Sequence, residues 1–303
     1  GDERQIILAP HIGDLESVEA MDFHEQVADA FPRYFEKEIR TIVCDLHPDM
    51  HSTRYGQRLA AQLGAELHYV QHHHAHAAAC MAEHGLNEAL ALVFDGTGWG
   101  GDGTIWGAEL LAVHGPQMER LATFAPALLP GGDAAVRQPW RQAAARLLAI
   151  DPDASLPAAL CDQWQIHTEQ AELLAQQVAR RINCPVTHAA GRVFDAFSAA
   201  IGISTKTISY EGQAAIRLEQ AAWEAFACHG KEAAVHLADL PDVAEWQVGE
   251  MLQLDWAPLF AQVASQPIDD NRRKAMAFAF HLRMAQAAER MIRFGAAKSG
   301  LSQ

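Results

Sequence analysis

The sequence runs to 303 residues, half of them hydrophobic and a fifth charged, which suits a globular protein with a real core and room for two modest domains. Lysine and arginine number 23 against 38 aspartates and glutamates, a net charge of −15, so a broad surface for phosphodiester backbones is excluded. No run approaches the roughly 18 consecutive apolar residues of a membrane span.

Five cysteines, Cys44, Cys80, Cys161, Cys184 and Cys228, lie far apart with no C-x-x-C pair. That pattern fits neither a disulfide framework nor a zinc knuckle, and it suits a reducing compartment. The opening Gly1-Asp2-Glu3-Arg4-Gln5 lacks the layout of a secretory signal, so the expected location is the cytoplasm.

In chain order, Ile6-Ile7-Leu8-Ala9 reads as a short buried strand closed by Pro10. Ser17 is placed to cap a helix carrying Val18, Met21, Val27 and Phe31. Ile42-Val43-Cys44 predicts a second strand, and Ser52 to Leu63 a helix stopped by Gly64. Leu67 to Val70 predicts a third strand, followed at once by a helix over 72–84. Leu90 to Phe94, apolar throughout, predicts a strand buried on both faces. It enters a glycine-rich hairpin tip, Asp95 to Gly103, and returns as a strand over 104–113. Helical periodicity then dominates over 134–150, 168–182, 189–202, 211–228 and 270–298. The expected organisation is an α/β half of roughly 115 residues followed by a mostly helical half.

The strongest chemical signal is Gln71-His72-His73-His74-Ala75-His76. Residues four apart share a helix face, so His72 and His76 can aim both imidazoles at one ion; His73 and His76, three apart, offer a second pairing. Zinc peptidases use the same H-x-x-x-H geometry but carry a glutamate base inside the motif, which is missing here. Two imidazoles call for a carboxylate or water to complete a metal shell. Asp95, ending an apolar strand, is either that ligand or a cap for the glycine turn that follows. Asp102, between glycines, reads as a turn residue.

The loop from Asp95 to Gly103 exposes backbone N–H groups that can cradle phosphate oxygens, or it is a plain hairpin turn. It has no P-loop lysine, and a strand rather than a helix follows it, which excludes both common nucleotide fingerprints. Asp195, in Gly191-Arg192-Val193-Phe194-Asp195, and Glu211, in Tyr210-Glu211-Gly212-Gln213, are of types that reach ribose hydroxyls, but by chemistry alone a helix-dipole or capping role is the default.

Taken together, these stretches resemble the C-terminal, Kae-like carbamoyl-transfer domain of the HypF family. The resemblance rests on Pro10 to Glu16, Asp45-Leu46-His47-Pro48-Asp49, Ser52 to Tyr55, Val70 to His76, Phe94 to Gly100 and Asp102 to Gly107. It continues through Gly131-Gly132-Asp133, Pro139-Trp140-Arg141, Gly191 to Asp195 and Tyr210 to Ala215, over roughly residues 8 to 220. It implies an α/β fold of the actin/Hsp70/sugar-kinase-like (ASKHA) two-lobed type. The lobes are expected at 1–88, with the histidine helix, and at 89–303, with the glycine-rich hairpin and helical region, each incomplete at its outer end.

The resemblance also implies His72, His76 and Asp95 as ligands of a divalent metal ion, iron, zinc or manganese alike. It places Gly96, Thr97 and Gly98 at phosphates, and Asp195, Glu211, Gly212 and Gln213 around the nucleoside. No catalytic side chain is assigned. The implied reaction starts from carbamoyl phosphate and ATP and passes through carbamoyl-adenylate. The carbamoyl group then goes to the C-terminal cysteine thiolate of HypE during nickel–iron hydrogenase maturation, with neither nucleic acid nor membrane as partner. Alternatives are a carbamoyltransferase acting on a small-molecule hydroxyl and a non-catalytic nucleotide-binding module that docks HypE. A tRNA-modifying relative suits the net charge poorly.

Overall fold

The structure is a computed structural model that describes residues 6–153, 155–204, 206–264 and 268–301. Gly1–Gln5 and the closing Ser302 and Gln303 lie outside the described residues. The chain divides into two compact units, Gly1–His72 and His73–Gln303, which meet at the head of the histidine helix in sequence.

The first unit contains α1 (Val18–Tyr34), β1 (Thr41–Asp45), α2 (His51–Leu63) and β2 (Glu66–Val70). The Ser17 hydroxyl accepts the Ala20 N–H at 3.1 Å, satisfying one of the donors that a helix start leaves open. α2 stops at Gly64, whose φ of +67° gives the left-handed cap that a Cβ would disfavour. β1 and β2 pair in parallel, in register from Thr41 opposite Glu66 to Asp45 opposite Val70. The strand expected at Ile6 to Ala9 does not form. Ile6 and Leu8 are 82% and 86% exposed, and a short apolar run becomes a strand only where a neighbour takes up its backbone groups.

The second unit takes in α3 (His72–His84) from its second residue onward, then an antiparallel meander of β3 (Glu88–Trp99), β4 (Ile105–His114) and β5 (Gln117–Phe124). There follow β6 (Ala127–Leu128), α4 (Asp133–Arg137), α5 (Pro139–Ile150), α6 (Ala158–Trp164), α7 (Thr168–Ala179), β7 (Val186–Thr187) and α8 (Ala190–Ala200). Last come α9 (Gln213–Ala238), β8 (Ala244–Val248), β9 (Met251–Asp255), α10 (Ala257–Ala264) and α11 (Asp270–Ser299).

The sheet runs β6-β7-β4-β5-β9-β8, with β3 also on β4. β3 therefore has one strand neighbour among the described residues, and Phe94 is 37% exposed, so the expectation of burial on both faces fails. The β3–β4 ladder resumes at Gly98 opposite Trp106, which shortens the expected glycine-rich tip to about Gly100–Thr104. The helix expected over 134–150 breaks at Gln138, because a residue before proline is pushed out of the helical region and Pro139 starts a new helix. The second half is also less purely helical than expected. β8 and β9 form a hairpin, and β9 joins β5 in parallel from Ala122 opposite Leu252.

The larger of the two hydrophobic clusters found among the described residues lies between the sheet and the helices of the second unit. Leu110, Leu121, Phe124 and Leu254 project from the sheet, and Trp140, Phe197, Phe260 and Phe280 meet them from the helices, all essentially without exposure. Phe280 stacks on Phe197 with ring centroids 4.4 Å apart and also contacts Trp256 at 5.3 Å. This core fixes α8, and α8 in turn fixes the back of the candidate site. Among the described residues no helix is long and apolar enough to cross a membrane.

Candidate metal and nucleotide site

The histidine run divides by helical geometry. His72 and His76 lie one turn apart on one face of α3, whereas His73 turns inward and is fully buried. The His73 ring stacks on Trp106 at 6.3 Å, and the Arg120 guanidinium lies over that indole at 3.9 Å. Arg120 is anchored in turn by the fully buried Glu109, Nε to Oε2 at 2.6 Å. His74 is directed to the Gly115 carbonyl at 3.3 Å. Of the two pairings open in the sequence, the one facing outward is His72 with His76.

Asp95 stands where the β3–β4 ladder is interrupted, between Phe94 and Gly98. Its Oδ1 accepts the Gly96 N–H at 2.6 Å, so it does cap the turn that follows. Its Oδ2 lies 3.9 Å from His76 Nε2 and 3.7 Å from the buried His73 Nε2. One donor atom each from His72, His76 and Asp95 lie within 4.8 Å of one another. An ion held at about 2.0–2.2 Å needs its ligands roughly 3–4 Å apart, a difference that small side-chain rotations close. Two imidazoles and a carboxylate suit a divalent transition-metal ion.

His72 has a further partner that its motif does not reveal. Its Nδ1 lies 2.8 Å from Asp45 Oδ2, and Asp45 Oδ1 accepts the His47 N–H at 2.8 Å. Asp45 is not singled out by the sequence as a site residue, and His73 enters there only in the alternative pairing with His76; the parallel register of β1 with β2 and the face of α3 decide their positions.

The loop after Asp95 is backed by α8. A Cβ on Gly191 would meet the Gly96 Cα at 2.9 Å, so the helix start and the loop backbone touch where neither has a side chain. A Cβ on Gly96 would lie 3.2 Å from Arg192 Nη2 and 3.3 Å from Glu211 Oε1. Gly96, Arg192 and Glu211 are thereby brought together, with Thr97 exposed and Gly98 buried.

Asp195 sits deeper, 1% exposed, with Oδ2 at 3.1 Å from Arg192 Nη2 and accepting from Gln142 Nε2 at 3.4 Å. Burial pushes its carboxyl above the usual range, and the Arg192 charge and the Gln142 hydrogen bond only partly offset this. Gln213 folds its amide back on Ser209, accepting the backbone N–H at 2.9 Å and donating to the hydroxyl at 3.1 Å. Glu211 is at the surface and Gly212, at φ +78°, starts α9. Of the four residues expected around a nucleoside, Glu211 and Gly212 are accessible, whereas Asp195 and Gln213 are buried and shape their surroundings. Arg192 belongs with them; its i,i+3 spacing from Asp195 is the signal that could have marked it.

Asp102 serves the hairpin tip, accepting from the Thr104 N–H and hydroxyl and from Trp106 Nε1. Burial alone would raise its carboxyl, but these hydrogen bonds and the Arg120 charge hold it below the usual range.

Residues 91–303 match the family described as carbamoyltransferase, Kae1-like domain, second subdomain, and residues 1–83 match the HypF Kae1-like domain. A carbamoyltransferase HypF of Rhodobacter capsulatus is 36% identical over 97% of this chain and 38% of its own length. Carbamoyltransferase HypF2 of Cupriavidus necator is 40% identical over 72% of this chain and 26% of its own length. Among solved structures, full-length HypF in a phosphate- and nucleotide-bound form superposes with a TM-score of 0.80 at 25% identity, covering 96% of this chain and 36% of that one. HypF of T. kodakarensis gives 0.76 at 26%, covering 97% and 37%. The chain thus spans well under half the length of these relatives. Its fold is the ASKHA-like α/β fold of the Kae1-like domain, and the chain belongs to the HypF carbamoyltransferase family.

Proposed function

We propose that this chain is the carbamoyl-transfer part of a HypF enzyme. Carbamoyl-adenylate, made from carbamoyl phosphate and ATP, gives its carbamoyl group to the C-terminal cysteine thiolate of a HypE-like acceptor in nickel–iron hydrogenase maturation. The observation that carries this reading is the continuity of the site. The carboxylate of the His72, His76 and Asp95 group is followed directly by the Gly96-Thr97-Gly98 loop, so a cation site and an anion cradle are adjacent. That HypF has been solved with phosphate and nucleotide bound supports the same assignment.

In the step proposed, the thiolate sulfur attacks the carbamoyl carbon, a C–S bond forms, and the C–O bond to the adenylate phosphate breaks. AMP leaves with the electron pair. A divalent ion, iron, zinc or manganese, supplies positive charge against the phosphate when bound to His72, His76 and Asp95. The protein's own residues orient the donor. Asp95 fixes the start of the loop through the Gly96 N–H, and the Gly96-Thr97-Gly98 backbone beyond it is the proposed cradle for phosphate oxygens. Arg192 and Glu211 stand at Gly96, Glu211 and Gly212 meet the nucleoside, and Asp195 and Gln213 hold that wall in place.

No nucleophile from this chain is required. Burial raises the thiols of Cys44, Cys161 and Cys184, which keeps them protonated and poorly reactive. The test is transfer from preformed carbamoyl-adenylate to a HypE-like acceptor by the purified chain, read as a carbamoyl mass on the acceptor's C-terminal cysteine. Gain of that mass, lost in His72→Ala, is the expected result. Binding of neither nucleotide nor metal, with no transfer, would overturn the proposal.

A further inference from the structure

We propose that Asp45 is the positioning residue of the metal site: it sets the tautomer and ring orientation of His72 so that the imidazole offers Nε2 to the ion. This rests on the reading of His72, His76 and Asp95 as metal ligands. It adds a residue from a different strand, with no direct place in that donor set.

The geometry follows from the strand register. β1 and β2 are parallel neighbours, and Asp45, the last residue of β1, is opposite Val70, the last residue of β2. Two residues beyond Val70 the chain reaches His72, the first residue of α3, so the carboxylate at one strand end meets the imidazole just past the other. The contact is 2.8 Å, from Asp45 Oδ2 to His72 Nδ1. An ionised carboxylate can only accept, so the hydrogen belongs to Nδ1, and a neutral imidazole protonated there carries its lone pair on Nε2. Histidines that ligate metals commonly donate their other ring N–H to a carboxylate, which fixes the ring and raises ligand basicity.

Asp45 is itself held rigidly. Its Oδ1 accepts the His47 N–H at 2.8 Å, and the Asp49 N–H donates to His47 Nδ1 at 3.1 Å. Its backbone carbonyl accepts the hydroxyl of the fully buried Thr53 at 3.3 Å, and the Leu46 N–H donates to the Val70 carbonyl at 3.0 Å. A side chain fixed on both its oxygens and its carbonyl, with one oxygen given to a ligand histidine, is built to orient. His76 differs: 57% exposed, it has a carboxylate contact with Asp95, itself a ligand, at 3.9 Å. Of the two imidazoles, His72 is the one oriented from behind.

The experiment uses the full chain, free of metal, as wild type, Asp45→Asn, Asp45→Ala and His72→Ala. Long-range 15N–1H NMR of the imidazoles reads the His72 tautomer, with His72→Ala giving the assignment, and Zn2+ affinity is measured by competition with a chromophoric chelator. Wild type is expected to show the Nδ1–H tautomer. Asp45→Ala should lose it and bind Zn2+ about 10- to 100-fold more weakly, while Asp45→Asn, whose amide oxygen still accepts, should keep the tautomer and lose less. Recovery by asparagine separates orientation from folding, and thermal unfolding of each variant accompanies it. An Asp45→Ala protein with the Nδ1–H tautomer intact and unchanged Zn2+ affinity overturns the proposal, even as His72→Ala abolishes binding. A wild type that takes up no Zn2+ while showing the Nδ1–H tautomer instead overturns the metal reading, and with it the purpose given to Asp45.

Discussion

Gly191 at the start of α8 and Gly96 in the loop after β3 touch through their backbones: a single Cβ on Gly191 would come within 2.9 Å of the Gly96 Cα. The packed core seats α8, and α8 in turn seats the loop.

Gly191→Ala must therefore displace the loop, the helix start or both. Overpacking of this kind costs about 1–3 kcal/mol, and here the yielding partner is the proposed phosphate cradle. The expected outcome is a clear loss of ATP affinity by calorimetry with only a modest fall in unfolding temperature. A large fall in stability with ATP affinity unchanged would show that the loop is not seated on α8.

Asp195→Ala removes the carboxylate partner of the buried Arg192, with the half-buried Arg146 nearby. Burial already presses Arg146 down to about 10, chiefly by desolvation and also by the Arg192 charge, so positive charge is poorly tolerated there. Breaking one side of a buried pair costs about 3–5 kcal/mol, measurable by urea unfolding. Asp195→Asn, which keeps the shape, should cost less than Asp195→Ala.

Phe280→Ala should destabilise the second unit by about 3–5 kcal/mol, because it removes a buried ring packed on Phe197 and Trp256. Under conditions where the variant remains folded, its Zn2+ affinity should match that of the wild type. A shift in metal affinity as large as that of a ligand variant would place the core and the site in one cooperative element.

His188 gives a pH dependence of definite sign. Burial lowers its pKa, outweighing the hydrogen bond to the Phe124 carbonyl, 2.7 Å from its Nδ1. The folded state therefore holds this imidazole neutral below the pH at which the unfolded chain protonates, about 6.5. Its contribution is complete above that pH and is lost as the pH falls toward the lower folded value. Denaturation midpoints should drop from pH 7 to 5.5, and His188→Gln should flatten part of that slope. An identical slope in the variant would contradict the assignment.

Much of this was legible in the sequence because it is local. The helix over 72–84, the Ser17 cap, the Gly64 stop and the sharing of a face by His72 and His76 follow from spacing alone. What was hidden depends on partners far along the chain. Ile6 to Ala9 has the composition of a strand but no ladder, and β3 has the composition of a central strand but pairs with β4 alone among the described residues. Asp45 joins the site only through a register that pairs residues 25 apart in the chain. The pairing of Asp195 with Arg192 and Gln142 likewise depends on packing, the glutamine lying 53 residues away in the chain.

The most direct measurement is metal content per chain, by mass spectrometry of the purified protein after loading with iron, zinc or manganese, for wild type, His76→Ala and Asp95→Ala. The account predicts about one tightly held ion in the wild type, with occupancy lost in both variants while their unfolding temperatures stay close to wild type. A wild type that holds no ion, or variants that hold it as well as the wild type, would contradict it.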